Sequence, residues 1–267
     1  SMTIKINWES SYNYSIRAVD NKEVAGPGSD FFTVNIDKTA PTCNPSNSYD
    51  EYIEIRKQLS LKPIEEQIEF YRKTQFEKFP NTFWTQNNRT VTGTCNDSGG
   101  SGCRSNASTT FTTTTSLASP GYVYDNAGNR RQCGYSFVNV DKDNPYAPYL
   151  KNIKPLQNVR HIDYNCQHNS QNSTTNNVCT AYIYVTGGDA TRAKFGVYTD
   201  KVDVGSGVEK TLKYFTSNGI NADYCNWTEE CGSYVGINAH SATAKYKLVD
   251  YSGRTGPELT INYYFIY

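Results

Sequence analysis

The chain has 267 residues and a balanced charge, with 26 basic and 26 acidic side chains. Hydrophobic residues make up only 37% of it, yet aromatic residues reach 13%, with 22 tyrosines against one methionine. This composition favours a β-rich protein over a helical bundle, which would contain more Leu, Ala and Met. No basic run interleaves with aromatic residues, and no apolar stretch approaches the roughly 20 residues of a membrane span. We therefore expect neither a nucleic-acid partner nor a membrane span.

The first segment, residues 1–37, contains three short stretches of alternating polar and apolar residues, at 3–7, 12–19 and 31–36. Alternation of this kind predicts β-strands, but three strands alone have little apolar surface to bury. We expect 1–37 to be the C-terminal half of a sandwich domain, so that the chain is a fragment, or these strands to pack on the next module.

A hairpin pattern occurs three times along the chain. Each copy has an alternating strand, a turn opened by Asp20, Asp125 or Asp250 with Gly nearby, and a second alternating strand. The predicted second strands cover 31–38, 135–142 and 258–264. The three aspartates are separated by 105 and 125 residues, which is the spacing of domains rather than of solenoid repeats. The sequence therefore predicts tandem β modules.

Proline-containing segments at 37–42 and 141–148 predict the module boundaries, because proline fixes φ and holds the preceding residue extended. The predicted domains are 1–37, 38–145 and 146–267. In the last of these, short strands alternate with turn signals about every ten residues, which is typical of a β-sandwich.

A helical insert is predicted at about 50–79, divided at Pro63. Ile64, Ile68, Tyr71 and Phe79 follow the 3.6-residue period. The resulting apolar stripe covers the edge of its own sandwich or contacts a partner, and we favour the first interpretation.

Eight cysteines lie among loops rich in Asn, Ser, Thr and Gly. Their spacing, and the positions of the three histidines, do not match a zinc-ligand pattern. An even number of cysteines in such loops favours disulfides, which indicates an oxidising compartment outside the cell. The expected disulfide cysteines are Cys43, Cys95, Cys103, Cys133, Cys166, Cys179, Cys225 and Cys231.

Three motifs carry a resemblance to a known group. They are Asp-Lys-Thr-Ala-Pro-Thr-Cys at 37–43, Val-Thr-Gly-Thr-Cys-Asn-Asp-Ser-Gly-Gly-Ser-Gly-Cys at 91–103 and Asp-Asn-Ala-Gly-Asn-Arg-Arg-Gln-Cys at 125–133. The chain resembles the tandem immunoglobulin-like repeats of bacterial cell-surface proteins, frequent in Gram-positive gut bacteria. The resemblance covers 38–145 apart from the helical insert, only the last hairpin of 1–37, and 146–267 weakly. It implies an all-β fold of tandem immunoglobulin-like sandwiches and an extracellular, adhesin-like or stalk-like role.

The resemblance also implies that four cysteines meet at one end of the middle sandwich, and we expect Cys43 to pair with Cys95 and Cys103 with Cys133. Four cysteines allow three connectivities. In the last module, Cys166 with Cys179 and Cys225 with Cys231 would each close a polar loop.

Neither a nucleophile motif nor a phosphate-binding loop is present, so we expect no enzymatic activity. Oxygen donors in tight turns are compatible with structural calcium, which needs several converging oxygens. Turn chemistry alone also explains them, so no cofactor is predicted. These donors are Asp97, Asp125, Asn126, Asn129, Asp200 and Asp203.

The best binding candidates are Trp227 and the nearby Tyr224, in a loop that a disulfide would close. An exposed rigid aromatic residue is a common anchor for a protein partner and also a platform for a sugar ring, whereas a buried one would cap the sandwich.

The sequence thus predicts a non-catalytic extracellular module for adhesion or spacing, which presents a surface to a host or cell-surface protein or glycan. The alternatives are a carbohydrate-binding accessory region of a surface glycosidase and a spacer without a ligand.

Overall fold

The computed structural model describes residues 10–187, 193–218, 224–229 and 239–267, and these residues are mostly in β-strands. This confirms the all-β class at the level of secondary structure. The predicted strand at 3–7 and the predicted Cys225–Cys231 disulfide lie outside the described residues. Helices occupy the predicted place, between the fifth and sixth strands.

The described strands are β1 (Ser10–Tyr14), β2 (Arg17–Val19), β3 (Ala25–Gly28), β4 (Phe32–Ile36), β5 (Thr42–Pro45), β6 (Arg89–Asn96), β7 (Cys103–Ser105), β8 (Ala107–Phe111), β9 (Thr115–Ala118), β10 (Tyr122–Asp125), β11 (Arg130–Gln132), β12 (Ser136–Val140), β13 (Tyr149–Gln157), β14 (Val159–His168), β15 (Asn177–Val185), β16 (Lys194–Asp200), β17 (Val208–Ser217), β18 (Tyr224–Thr228), β19 (Ser241–Asp250) and β20 (Thr255–Ile266). The helices are α1 (Tyr49–Leu59), α2 (Ile64–Glu69) and α3 (Gln75–Lys78), with a π-helical turn (Phe70–Thr74) before α3 and a 3₁₀ turn (Pro80–Thr82) after it.

The chain divides into two compact units. Unit 1 comprises the described part of Ser1–Thr82 together with Arg89–Thr110 and Leu117–Val138. Unit 2 comprises Phe83–Asn88, Phe111–Ser116 and the described part of Asn139–Tyr267.

Unit 1 contains small sheets of two or three strands. β1 pairs with β4 and β2 with β3, while two three-stranded sheets have the orders β5-β6-β8 and β11-β10-β7. Val91 and Val123, on β6 and β10, are fully buried. The N-terminal strands β1 to β4 pair only with one another among the described strands.

The predicted hairpin turns are present, but two of the predicted second strands pair elsewhere. β2 turns back into β3 and β10 into β11. The later strands β4 and β12, which the sequence assigned to these hairpins, pair with β1 and β9. The third copy behaves as predicted, because β20 runs without a break and pairs with β19. Breaks in the first two copies, at residues 29–31 and 133–135, let the chain change partners.

The helical segment begins at Ser48, whose hydroxyl accepts a hydrogen bond from the Glu51 N–H at 3.3 Å and so caps α1. Asp50 and Glu51 in the first turn also stabilise the positive end of the helix dipole. Pro63 precedes α2 and separates it from α1, as the sequence predicted.

The predicted stripe on the second helix is only partly buried. Phe79 is 1% exposed, but Ile64 and Ile68 are 60% and 48% exposed, so the favoured interpretation, that the stripe covers its own sandwich, holds only for its C-terminal part. The cause is the π-helical turn, which adds one residue to a turn and rotates the preceding face. Phe70 is buried in place of the predicted Tyr71.

The buried side of the helical segment is aromatic. The Tyr52 ring lies edge-on to Phe79 and Phe137, with centroids 5.3 and 5.1 Å apart, and close to Phe70 at 6.5 Å. Phe137 belongs to β12, so these ring contacts attach the helices to a strand of the same unit.

The disulfides of unit 1 join Cys43 to Cys133 and Cys95 to Cys103. The predicted pairing of Cys43 with Cys95 and of Cys103 with Cys133 is therefore wrong. Cys43 and Cys95 are opposite each other on β5 and β6, as that prediction assumed. However, the loop after β6 turns back, which brings Cys103 to a Cα–Cα distance of 5.9 Å from Cys95 and leaves Cys43 for Cys133.

Unit 2 is built on a six-stranded sheet of order β14-β15-β20-β19-β17-β18, and β13 pairs with β16. β15 and β20 are parallel neighbours, whereas the other pairs of the large sheet are antiparallel. Side chains alternate along β15 and β20, so one face of these strands is buried and the other is not. A disulfide joins Cys166 and Cys179 across β14 and β15, as the sequence predicted. The buried core includes Leu150, Ile183, Phe215, Leu259, Ile261 and Tyr263.

The two disulfides of unit 1 differ in the length of chain that they close, 90 against 8 residues of separation. In the chain-entropy description, the longer loop gives about 4.6 kcal/mol of stabilisation and the shorter about 2.5 kcal/mol. We expect the Cys43→Ala/Cys133→Ala variant to lose about 2 kcal/mol more unfolding free energy than Cys95→Ala/Cys103→Ala in urea denaturation. Equal losses, or a non-reducing peptide map that links Cys43 to Cys95, would contradict this assignment.

Candidate functional site

The aspartate that opens each repeated hairpin makes the same hydrogen bonds. The N–H of Asp20, Asp125 and Asp250 donates to the carbonyl four residues later at 3.0, 3.1 and 3.1 Å. In each turn a carboxylate oxygen also accepts the N–H of that fourth residue, at 2.9, 2.7 and 2.8 Å. A short acidic side chain that bonds the backbone ahead of it is what such a turn requires.

In the second and third copies this aspartate belongs to a cluster of three carboxylates. The clusters are Asp37, Asp97 and Asp125 in unit 1, and Asp141, Asp203 and Asp250 in unit 2, each with one oxygen per residue within 4.8 Å of the others. We call them the unit 1 cluster and the unit 2 cluster. Convergent carboxylate oxygens are the ligands that hard cations such as calcium take, so both sets are chemically suited to a cation.

In each cluster one aspartate, Asp97 or Asp203, precedes a Gly-Ser-Gly sequence in the same loop. In unit 1, the Ser101 N–H donates to Asp37 at 2.6 Å and the Gly102 N–H donates to Asp97 at 2.8 Å. The Asn126 N–H donates to the Gly102 carbonyl at 2.8 Å, which joins this loop to the hairpin turn.

Unit 2 repeats this construction with different residues. The Ser206 N–H donates to Asp141 at 2.7 Å, and the Gly207 N–H donates to Asp203 at 2.7 Å. The Tyr251 N–H donates to the Gly207 carbonyl at 3.1 Å. The two clusters are therefore the same local structure built twice.

A glycine is required where each loop approaches its carboxylates. A Cβ at Gly205 would lie 2.4 Å from an Asp141 oxygen, and a Cβ at Gly100 would lie 2.7 Å from Asp97. The last glycine of each loop has a positive φ, 85° at Gly102 and 88° at Gly207, which non-glycine residues adopt at a cost.

The two clusters differ at one position of the hairpin turn. In unit 1 the Asn129 side chain donates to the second oxygen of Asp125 at 2.8 Å. The corresponding residue of unit 2 is Arg254, whose guanidinium donates to the Asp141 carbonyl at 3.3 Å and to the Asn144 side chain at 3.1 Å. The second oxygen of Asp250 accordingly receives no hydrogen bond.

The unit 2 cluster concentrates negative charge away from water. Asp141 and Asp250 are both 0% exposed. Burial, and then the neighbouring charges of Asp141 and Asp250, raise the pKa of Asp203, and the N–H groups of Gly207 and Gly205 only partly oppose this rise. No Lys or Arg among the described residues forms an ion pair with any of the three carboxylates.

The structure thus brings together some of the oxygen donors singled out in the sequence and separates others. Asp97 and Asp125 lie in one cluster and Asp203 in the other. Asp200 instead bonds Lys151 at 2.6 Å. Sequence reasoning missed Asp37 and Asp141, together with Asp250 as a cluster member. A detectable signal was present: each of these aspartates occupies the same place in the repeated motifs as its counterpart.

The predicted binding residues Tyr224 and Trp227 lie on β18, and their side chains are outside the part of the chain that the structure describes. A different aromatic pair is described on the outer face of the large sheet. Tyr182 and Tyr264 are Cα partners on parallel strands, and their rings stack with centroids 5.7 Å apart. They are 43% and 47% exposed.

A groove of about 380 Å³ lies in unit 2. The polar side chains that line it are Lys194, Lys213, Tyr246 and Tyr263. Burial raises the pKa of Tyr246 and Tyr263, which line its inner side. Both therefore stay neutral at ordinary pH. The other lining residues are Leu156, Ala193, Lys194, Phe195, Val197, Lys213, Phe215 and Ala244.

In comparisons with known proteins, no protein-family model matches the chain and no curated protein shows significant similarity to it. Among the described residues, no helix has the length and apolar character needed to cross a membrane. Fold and site therefore define a class only: a β-rich, disulfide-bonded protein with duplicated carboxylate clusters, compatible with an extracellular location.

The close approach at Gly205 gives a test of this construction. We expect Gly205→Ala to lower the unfolding free energy by about 1–3 kcal/mol, because the new methyl group would displace the Asp141 carboxylate. Gly26→Ala is the matched control, since its nearest neighbour would be 3.4 Å away, and we expect a change within about 0.5 kcal/mol. Urea denaturation of both variants measures the two unfolding free energies. An equal loss in the two variants would contradict a close contact between residue 205 and the Asp141 carboxylate.

Proposed function

We propose that this chain is a non-catalytic part of an extracellular surface protein and that it serves adhesion, with its modules also acting as spacers. The observation that supports this most is the repeated cluster, in which the same loop and turn recur in both units with the same hydrogen bonds. A protein made of repeated, internally braced modules presents surfaces at defined positions, and a single reaction centre needs no such repetition.

The disulfides support the extracellular part of the proposal. Three disulfides are present among the described residues, and such bonds persist in oxidising environments. Two of them cross-link strands and loops of unit 1 and one cross-links neighbouring strands of unit 2. We assign the modules to the immunoglobulin-like class of bacterial surface repeats on the motifs at 37–43, 91–103 and 125–133.

The ligand-binding part of the proposal concerns the last module, which departs most from the repeated motifs. We propose that Trp227 and Tyr224 contribute to a surface for a host or cell-surface protein. An aromatic anchor at the centre of an interface commonly carries a large share of the binding free energy.

A second candidate function, carbohydrate binding as an accessory region of a glycosidase, is favoured by the Tyr182–Tyr264 pair. Two stacked and half-exposed rings on adjacent strands present aromatic surface beside polar groups. Asn262, two residues before Tyr264 on β20, accepts a hydrogen bond from the Thr243 hydroxyl at 3.2 Å. Such a surface suits the apolar face of a sugar ring.

Binding of the immobilised chain to human extracellular-matrix proteins and to a glycan array would test the two functions. For adhesion we expect saturable binding to a protein that free sugars do not compete, and at least a tenfold loss of affinity in Trp227→Ala. Tyr135→Ala is a suitable control, because Tyr135 is 58% exposed and lies in unit 1.

The carbohydrate alternative predicts a different pattern. Glycan binding would then fall at least tenfold in the Tyr182→Ala/Tyr264→Ala variant and would persist in Tyr135→Ala. Absence of binding in both assays would contradict adhesion and leave only a spacer role.

A further inference from the structure

We infer that the unit 2 cluster of Asp141, Asp203 and Asp250 is a calcium-binding site and that the unit 1 cluster is not. This inference does not depend on the proposed adhesive role. It rests on a difference in how the two clusters satisfy their buried oxygens, and not on the presence of acidic residues alone.

The first step concerns the oxygen atoms of unit 2 that have no hydrogen-bond donor. Asp250 is 0% exposed, and its Oδ2 atom is buried without a partner. Its Oδ1 atom accepts the Ser252 N–H and the Arg254 N–H, both at 2.8 Å, which fixes the carboxylate in place. The Oδ1 atom of Asp203 is also buried and without a partner.

Two orphaned carboxylate oxygens in one buried cluster are costly, because a desolvated anion needs donors or a positive charge. Asp141 does not relieve the charge, since it is itself ionisable and completely buried. The hydroxyl of Ser206, whose N–H donates to Asp141, is another buried oxygen without a partner. A cation at this position would satisfy several of these atoms together.

The second step is the contrast with unit 1. There the Asn129 N–H and its side-chain amide donate to the two oxygens of Asp125 at 2.7 and 2.8 Å. Asp125 is as buried as Asp250, at 0% exposed, but both its oxygens have donors. The second carboxylate oxygen of the hairpin aspartate therefore accepts an amide N–H in unit 1 and has no hydrogen-bond donor in unit 2.

The third step concerns the choice of ion. The cluster offers one carboxylate oxygen from each of three residues, and these three oxygens lie within 4.8 Å of one another. Magnesium needs shorter bonds of about 2.0–2.1 Å in strict octahedral geometry, so carboxylates from three separate loops suit calcium better.

Calcium binding can be measured on the intact chain after treatment with EDTA. By equilibrium dialysis with calcium alone, we expect one ion per chain, with a dissociation constant on the order of 10⁻⁴ M, as for other extracellular modules. Binding to the folded state should raise Tm by about 5 °C at 10 mM calcium, and by less in magnesium.

Asp250→Asn tests the site directly, because it keeps the shape of the side chain and removes one charge. We expect at least a tenfold loss of calcium affinity and loss of the calcium-induced rise in Tm. Without calcium, the same variant should melt at or above the wild-type Tm, because charge repulsion is relieved. If Asp250→Asn fails to fold, by circular dichroism, Asp203→Asn takes its place.

Two control variants separate the site from its surroundings. Asp20→Asn changes the same kind of turn in the first copy, where the carboxylate accepts the N–H groups of Lys22 and Val24, and it should leave calcium binding unchanged. Asp125→Asn should also retain one ion per chain. Absence of calcium binding, an unchanged affinity in Asp250→Asn, a loss in Asp125→Asn of the same size, or an equal response to magnesium would each overturn the inference.

Discussion

A carboxylate that is removed from water must receive hydrogen bonds or a compensating charge, and the described loops of both units are arranged around this requirement. Asp125, Asp141 and Asp250 are all completely buried. Each carboxylate accepts backbone N–H groups of a turn or loop, so the conformation of that segment and the burial of its aspartate depend on each other. This is why the turn that opens a hairpin also joins a second loop, through Asn126 in unit 1 and Tyr251 in unit 2.

How much of this was accessible from sequence depends on the range of the interaction. The hairpin turns were predicted, because an aspartate that bonds backbone two and four residues ahead is a local feature. The start of the helical segment near residue 50 and its division at Pro63 were predicted for the same reason, although the cap at Ser48 was not. The exposure of Ile64 and Ile68 was not, because a single π-helical turn changes which face points inward and no simple periodicity records it.

Contacts between residues far apart in the sequence could not be predicted from the sequence alone. The pairing of Cys43 with Cys133 depends on how far the loop after β6 turns back, and four cysteines alone leave three possibilities. Asp37 and Asp141 were read as parts of linkers, because the repetition of their motifs does not by itself show which loops they meet. Their role becomes visible only when the loops that contain Asp97 and Asp203 are placed beside them.

The two clusters show how one residue decides between two ways of satisfying the same buried anion. An asparagine at the fourth position after the hairpin aspartate has a short amide that reaches back to the carboxylate, as Asn129 does. The side chain of Arg254, at the same position of unit 2, does not donate to the second Asp250 oxygen, and its donors reach the Asp141 carbonyl and Asn144 instead. The unit 2 cluster therefore keeps two buried carboxylate oxygens without a hydrogen-bond partner, and the proposed calcium site rests on this difference.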